Sequence, residues 1–398
     1  MAPCGDGTRR SDLQRGNHDP PDGTFSLTVL ERTFNEILRR HEIWRTSFEI
    51  VEDEIVQRVH PELRIRLAFD DLTSLPSSER DGEALRMASE DARQQIDLRD
   101  APLFRARVVK LAEDEHRLYI ALHHIIFDGV SLSRVFVPEL SAIYEAFSRG
   151  DCSPLAEPTL QYSDYSIWRQ QQLASDRIER QMEYWRRNLS GALPKLELVG
   201  DHERPLAPTH RGSMETFTLS LELTAALKAF SRTEGATLYM TLLAAFKAML
   251  FRYTGQEDVL IGGVTDLRRR PELELLIGYF LNTIALRTQP SADLTFRDYL
   301  AQVRNSVLGA LDASEVPFDR IVRELSAGRE LGAHPLFQVM FSMQPLVDAF
   351  PKGWDLTQMD VMIGGAKFDL YLELEERPSG VIGRFIYSSD LDIRSAES

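Results

Sequence analysis

Short β-prone runs and helix-periodic runs alternate through both halves of this chain, and a stretch rich in proline and charge, Pro194 to Pro208, lies between the halves. Alternation of this kind predicts an α/β architecture in which helices cover sheets. Proline removes a backbone donor and turns the residue before it away from the helical region, so such a stretch ends elements rather than building them. It marks the predicted boundary between an N-terminal lobe, 24–193, and a C-terminal lobe, 194–398. Residues 1–23 are polar, contain Pro20-Pro21, and are expected to form a disordered leader. At 398 residues with 43% hydrophobic content, the chain can bury two cores of ordinary size. Neither half carries the Gly-x-Gly fingerprint of a dinucleotide fold or a phosphate-binding loop.

The local patterns are specific enough to place elements. Leu30, Phe34, Ile37 and Leu38 recur at helical spacing and predict an amphipathic helix running into Arg39-Arg40-His41. A strand-like stretch spans Thr46 to Val59, and Glu83 to Gln95 reads as helix. Leu103 to Leu111 and Arg117 to His123 are β-prone runs joined by Ala112-Glu113-Asp114-Glu115, which predicts a hairpin. On its second strand, Leu118, Ile120 and Leu122 share one face, and Tyr119, Ala121 and His123 share the other. Beyond Gly129, the spacing of Leu132, Val135, Leu140, Ile143 and Phe147 predicts a helix packed back on the sheet. Tyr162 to Leu189 is largely helical. In the second half, the patterns predict helices at Leu238 to Leu250 and Phe296 to Leu311. They predict strands at Val259 to Val264, Ile284 to Arg287 and Phe337 to Gln344, and a terminal hairpin near Leu370 to Tyr387. The resulting fold class is α/β (α+β) with two lobes.

Composition narrows the partners. Sixty-one acidic against 46 basic side chains give a formal charge of -15, which disfavours nucleic acid and anionic membrane surfaces. Cys4 and Cys152 form neither a disulfide framework nor a metal-ligand spacing, and a reducing cytoplasm is the expected compartment. No apolar run reaches membrane-spanning length, and the N-terminus lacks a signal-peptide core. No histidine or cysteine pair has ligand spacing with partners nearby, so no metal site is predicted.

The chemistry concentrates in His123-His124-Ile125-Ile126-Phe127-Asp128-Gly129. With 9 histidines in the whole chain, two adjacent imidazoles followed by an acid and a glycine at fixed offsets form a specific signal. A side chain that holds or takes a proton near neutral pH, set at the end of a rigid strand, suits acyl transfer. Adjacent side chains diverge at a strand, so His123 and His124 should not enter the same cavity.

With the surrounding segments, the chain resembles the condensation domains of nonribosomal peptide synthetases, relatives of chloramphenicol acetyltransferase. Arg40-His41-Glu42-Ile43-Trp44-Arg45-Thr46-Ser47-Phe48 resembles the family's R-H-E-x-L-R-T-x-F segment, and Tyr162-Ser163-Asp164-Tyr165-Ser166-Ile167-Trp168 its Y-x-D-Y-A-x-W. Gly235-Ala236-Thr237, Arg252-Tyr253-Thr254-Gly255-Gln256 and Ile277-Gly278-Tyr279-Phe280-Leu281-Asn282-Thr283 resemble the second-lobe motifs, followed by Val316-Pro317-Phe318 and Pro335-Leu336-Phe337-Gln338. The resemblance runs from about residue 27 to about 392. Three departures stand out. The family's opening segment has no counterpart before Leu27, Ala313-Ser314-Glu315 replaces the usual H-Q-D, and the chain stops soon after Asp390.

The resemblance implies two acetyltransferase-like lobes in a V-shaped arrangement with a tunnel between them. It implies no directly bound cofactor. Phosphopantetheine-linked substrates would arrive on donor and acceptor carrier proteins, with adjacent synthetase modules as further partners. The implied reaction is amide-bond formation, and the expected roles follow from it. His124 accepts a proton from the attacking amine or stabilises the charged intermediate by a hydrogen bond. His123, on the opposite strand face, reads as structural more than catalytic. Asp128 reads as half of a buried ion pair, and the resemblance makes Arg45 its candidate partner. Gly129 would allow a tight turn and bring its N–H near the developing oxyanion, or simply start a helix. Asn282 would line the tunnel as a hydrogen-bond donor, or serve as a strand-end asparagine. Trp168, Trp185 and Phe246 read as core, and Arg268-Arg269-Arg270 as a solvated loop or a dock for an acidic carrier. Two other readings remain: a free-standing acyltransferase with a soluble acceptor, and a non-catalytic platform for carriers or tailoring enzymes.

Overall fold

The computed structural model describes residues 8–14, 25–198, 211–325, 336–344, 355–357 and 366–390. The chain divides into two compact units. One comprises Met1–Arg169, Arg268–Phe280 and Val347–Ile363, and the other Gln170–Leu267, Leu281–Leu346 and Gly364–Ser398.

The first unit is built on a five-stranded sheet in the order Asp355–Thr357, Thr8–Gln14, His116–His123, Phe104–Lys110, Ala68–Asp71. The hairpin predicted over 103–123 forms its centre, with Phe104 opposite Leu122 and Lys110 opposite His116. Alternation along the second strand then decides which residues meet which layer. Leu118, Ile120 and Leu122 join a core with Leu30, Phe34 and Ile37 of the Leu27–Arg40 helix and Leu140 and Ile143 of the Val137–Ser148 helix. Tyr119, on the other face, packs with Ala84 and Ala88 of the Ser77–Arg93 helix. The Leu27–Arg40 helix starts where Ser26 Oγ accepts the Val29 amide at 3.3 Å, an N-cap that satisfies one orphan donor. Burying each of these large apolar side chains contributes about 1.5–3 kcal/mol.

Two details differ from the sequence expectation. The stretch at Thr46 to Val59 is a separate two-stranded hairpin, reversed at Glu52 and Asp53, both with positive φ. The leader expected to be disordered contains the strand Thr8–Gln14, which pairs antiparallel with His116–His123 from Thr8 opposite His123 to Gln14 opposite Arg117. Strand addition is carried by backbone N–H and C=O groups, so T-R-R-S-D-L-Q can pair without the apolar alternation that sequence reading looks for. The rest of 1–23 lies outside the described residues.

The second unit holds a six-stranded mixed sheet, ordered Gly212–Ser220, Gly380–Ser388, Leu370–Arg377, Val339–Gln344, Val259–Asp266, Leu281–Thr288. The predicted terminal hairpin is its second and third strands, with Leu370 opposite Tyr387. Leu243, Phe246 and Leu250 of the Leu238–Thr254 helix pack on Val259, Ile261, Ala285 and Leu286, and Trp185 is fully buried in the same core. Trp185 Nε1 donates to the Ala313 carbonyl at 2.9 Å, which satisfies its one polar atom.

This core also encloses a cation. Lys247 Nζ donates to the carbonyls of Val259 (3.2 Å) and Leu286 (2.8 Å) and to Thr288 Oγ1 (2.8 Å), binding the helix to two adjacent strands. Three acceptors match the three protons of an ammonium and offset part of the cost of burial, yet burial still pulls the pKa down from 10.5 to about 7. The folded protein therefore releases this proton near pH 7, while the unfolded chain holds it to about 10.5. Between those values the unfolded state binds more protons, so the contribution to stability rises with pH and is lost as pH falls through about 7. Lys247→Met should abolish this dependence. Urea unfolding should show wild type gaining about 2 kcal/mol of stability relative to the variant from pH 7 to pH 9.

Candidate active site

The strand His116–His123 delivers the two histidines to opposite jobs. The His123 amide donates to the Leu103 carbonyl at 2.9 Å, the last rung before the chain leaves the sheet. His123 Nδ1 then accepts the Ile125 amide at 3.2 Å and caps a single 3-10 turn, His124–Ile126. A ring nitrogen that accepts from N–H cannot carry a proton, so neutral His123 is protonated on Nε2. His124 is the reverse. Its Nδ1 lies 3.0 Å from the Phe127 carbonyl oxygen, which can only accept. The proton therefore sits on Nδ1, and in the neutral ring Nε2 carries the lone pair. The half-buried His124 ring stacks on Phe127 (5.2 Å between centroids, 24°) and meets Tyr279 edge-on (5.1 Å, 85°).

Behind this turn, Asp128 is fully buried and uses both carboxylate oxygens. Oδ1 accepts the Ser131 amide (2.8 Å) and Arg268 Nη2 (3.0 Å) and lies 2.9 Å from Ser131 Oγ; Oδ2 accepts Arg268 Nη1 (2.8 Å) and the Phe280 amide (2.9 Å). Bonding to the amide three residues on makes Asp128 the N-cap of the helical segment that starts at Gly129 and runs through the π-turn Ser131–Phe136. The Arg268 side chain is 2% exposed and forms a two-pronged pair with Asp128. Its guanidinium carbon lies 4.0 Å from the centroid of the Phe280 ring, which covers the charge from one side.

The segment Arg268–Phe280 belongs to the same compact unit as the histidines, and polar contacts tie it there. The Gly278 amide donates to Ser131 Oγ at 3.0 Å, and Ser131 Oγ lies 2.8 Å from the Gly278 carbonyl. Tyr162 Oη donates to the Tyr279 carbonyl at 2.8 Å, and burial, with Tyr165 and Asp128 nearby, raises the phenol's pKa, so it stays a donor. A Cβ at Gly278 would stand 2.1 Å from the Tyr162 ring, so the close approach requires glycine there.

Several sequence expectations change here. Arg45 is not the partner of Asp128: its Nη1 donates to the His60 carbonyl at 2.7 Å and its Nη2 to Glu42 at 3.4 Å, bracing the Thr46–Val59 hairpin. The partner is Arg268, from a basic triplet that reads in sequence as a solvated loop or a carrier dock. Of that triplet Arg270 lies over Trp168 (4.8 Å), which is packed at the edge of a small cluster rather than in a core. Gly129 has right-handed helical backbone, and positive φ falls instead at Gly150, Gly191, Gly235, Gly255 and Gly380 among the described glycines. It starts a helix, and the turn does not depend on a left-handed conformation. Asn282 lies in the other unit, where its Nδ2 donates to the Ser314 and Val316 carbonyls at 2.7 Å each and its Oδ1 accepts the Phe318 amide at 3.3 Å. Both amide protons serve the 314–318 turn, which includes part of the divergent Ala313-Ser314-Glu315 segment, so Asn282 is a brace in place of the expected tunnel donor. Among the described residues no group of three His, Cys, Asp or Glu side chains could hold a metal ion, and no helix is long and apolar enough to cross a membrane.

The Asp128–Arg268 pair makes a strong demand on stability, because removing one partner strands the other charge in a buried site. Arg268→Met should lower unfolding stability by about 3–5 kcal/mol, measured by urea denaturation. Arg45→Met, which leaves Asp128 paired, should cost less than about 2 kcal/mol.

Comparisons with known proteins bear on the family and the fold. A family model described as "Condensation domain" matches residues 21–391. A linear gramicidin synthase from Brevibacillus parabrevis is 42% identical over 376 residues, which are 93% of this chain and 5% of that protein. The chain thus spans a small part of the length of such relatives. Among solved structures, the complex of the X-domain and OxyB from teicoplanin biosynthesis matches with a TM-score of 0.80 at 27% identity, over 98% of this chain and 84% of that one. The first condensation domain of the calcium-dependent antibiotic synthetase, solved with a substrate analogue, matches in fold with a TM-score of 0.79 at 22% identity, over 98% and 90% of the two chains. The motif His123 to Gly129, the alternating helices and sheets around it and the match over nearly the whole length have one conclusion: the chain belongs to the condensation-domain family of the nonribosomal peptide synthetases.

Proposed function

We propose that the chain joins two carrier-bound substrates in nonribosomal peptide assembly, forming an amide between an acyl or aminoacyl thioester and the amine of an aminoacyl acceptor. The observation that carries this reading is the His124 Nδ1 contact with the Phe127 carbonyl, which leaves Nε2 as the basic nitrogen of the neutral ring. An α-ammonium has a pKa of roughly 7.7–8.0, so the acceptor must shed a proton to attack. In the proposed step the amine nitrogen attacks the thioester carbonyl and His124 Nε2 takes the proton that the nitrogen gives up. The C–S bond then breaks, and the proton passes to the departing sulfur, giving an amide and a thiol. Gly129, at the first position of its helix, supplies a backbone N–H of the kind that stabilises an oxyanion. His123 serves as the cap of the turn, and Asp128 as the anchor behind it. The phosphopantetheine arms are part of the incoming substrates, and the partners are donor and acceptor carrier proteins and neighbouring synthetase modules.

A second reading is favoured by one finding, the 27% identity to the X-domain solved in complex with OxyB. On that reading the chain binds a protein partner without forming bonds. One reconstitution separates the two, with donor and acceptor carriers loaded and amide product measured by mass spectrometry. Amide formation that falls by about 10²–10⁴-fold in His124→Ala supports catalysis. Equal product from variant and wild type would reject His124 as the proton acceptor, and carrier binding without product from any donor would favour the platform.

A further inference from the structure

We propose that Tyr279 is the positioning residue through which the buried Asp128–Arg268 pair sets the orientation of the His124 ring; this rests on the reading of His124 as proton acceptor. The backbone around Tyr279 is held at three successive residues. The Gly278 amide is bonded to Ser131 Oγ (3.0 Å), the Tyr279 carbonyl to Tyr162 Oη (2.8 Å) and the Phe280 amide to Asp128 Oδ2 (2.9 Å). On either side of Tyr279 there is no room to adjust. Gly278 cannot accept a Cβ against the Tyr162 ring, and Phe280 is 1% exposed beneath the Arg268 guanidinium.

Tyr279 itself is 38% exposed, and its ring meets His124 at 5.1 Å and 85°. That perpendicular arrangement is the one that quadrupole electrostatics favours for aromatic pairs. The hydrogen bond to Phe127 and the stacking on Phe127 both join His124 to its own turn, so they travel with the turn if it tilts. Tyr279 comes from a segment far along the chain that is fixed to the buried carboxylate. Its ring refers the imidazole to a rigid point outside the turn. Proton transfer needs this: a misplacement of about 1 Å can cost on the order of a hundredfold in rate.

The test compares the wild-type chain, Tyr279→Phe and Tyr279→Ala by two readouts. The first is the ¹⁵N spectrum of the histidine rings, with His124 assigned by its loss in His124→Gln. The second is carrier-dependent amide formation, resolved into kcat and KM. Tyr279→Phe keeps the ring contact and should leave the His124 signals unchanged and kcat within about twofold. Tyr279→Ala should shift the His124 Nδ1 and Nε2 resonances as the ring samples a second orientation. It should lower kcat about tenfold, with KM changed by less than about twofold. Unchanged ring resonances in Tyr279→Ala would overturn the proposal, as would shifted resonances with kcat intact. If wild type itself forms no amide, the ring resonances still decide whether Tyr279 positions His124, while the missing product counts against the amide reading.

Discussion

The interaction on which the site depends is the buried pair of Asp128 and Arg268. A carboxylate removed from water loses several kcal/mol of solvation, and recovers it only when its charge is met and its lone pairs are filled. Asp128 meets both conditions, with two prongs from Arg268, the amides of Ser131 and Phe280, and the Ser131 hydroxyl nearby. The donors come from two pieces of chain: Ser131 lies in the helical segment that follows the motif, and Arg268 and Phe280 begin and end one segment from far along the sequence. The acid converts its own need for donors into a fixed geometry between these two stretches. An apolar residue in its place would pack without directional bonds, and the segment Arg268–Phe280 would lose its register against the histidine turn.

Much of the scaffold was legible because its signals are local. Leu118, Ile120 and Leu122 alternate with Tyr119, and that pattern alone places one set under the Leu27–Arg40 helix and the other under the Ser77–Arg93 helix. The strand Thr8–Gln14 was illegible for the opposite reason: it is paired through backbone atoms and carries no apolar alternation. In the site, the burial of Asp128 could be read from its place between a strand end and a helix start. Its partner could not, since Arg268 stands beside two further arginines in a run that looks solvated. A usable signal was present in Leu273, Leu276 and Ile277, all buried, which show that the chain just after the triplet turns inward. Sequence leaves Asn282 between a tunnel donor and a strand-end asparagine, and the hydrogen bonds favour the second. Its three hydrogen bonds go to the turn at 314–318, where the sequence departs from the family pattern.

The paired histidines gain meaning from their opposite protonation. In the folded turn His123 accepts at Nδ1 and His124 donates at Nδ1, so neutral rings one residue apart carry their protons on different nitrogens. Both assignments follow from backbone groups at the same 3-10 turn, one amide and one carbonyl, which do not titrate. The tautomer of His124 is therefore written into the backbone path, and it persists as long as the turn does.

Two buried charges, Asp128 in the first unit and Lys247 in the second, are met in different ways. In the second unit, Lys247 sends its ammonium to two carbonyls and a hydroxyl, partners that cannot neutralise it, and its pKa falls to about 7. The arrangement clamps one helix to two strands and presents nothing outward. At Asp128 the charge meets its opposite in Arg268, and its remaining acceptor capacity goes to backbone amides. One of those amides, of Ser131, follows the histidine turn in the chain, and the other, of Phe280, directly follows Tyr279. A compensated pair can thus sit behind the histidine turn without adding net charge. On the proposed reading of His124, an uncompensated cation placed there would repel the imidazolium formed when the amine gives up its proton. On that reading the neutral pairing of Asp128 with Arg268 serves the chemistry as well as the fold.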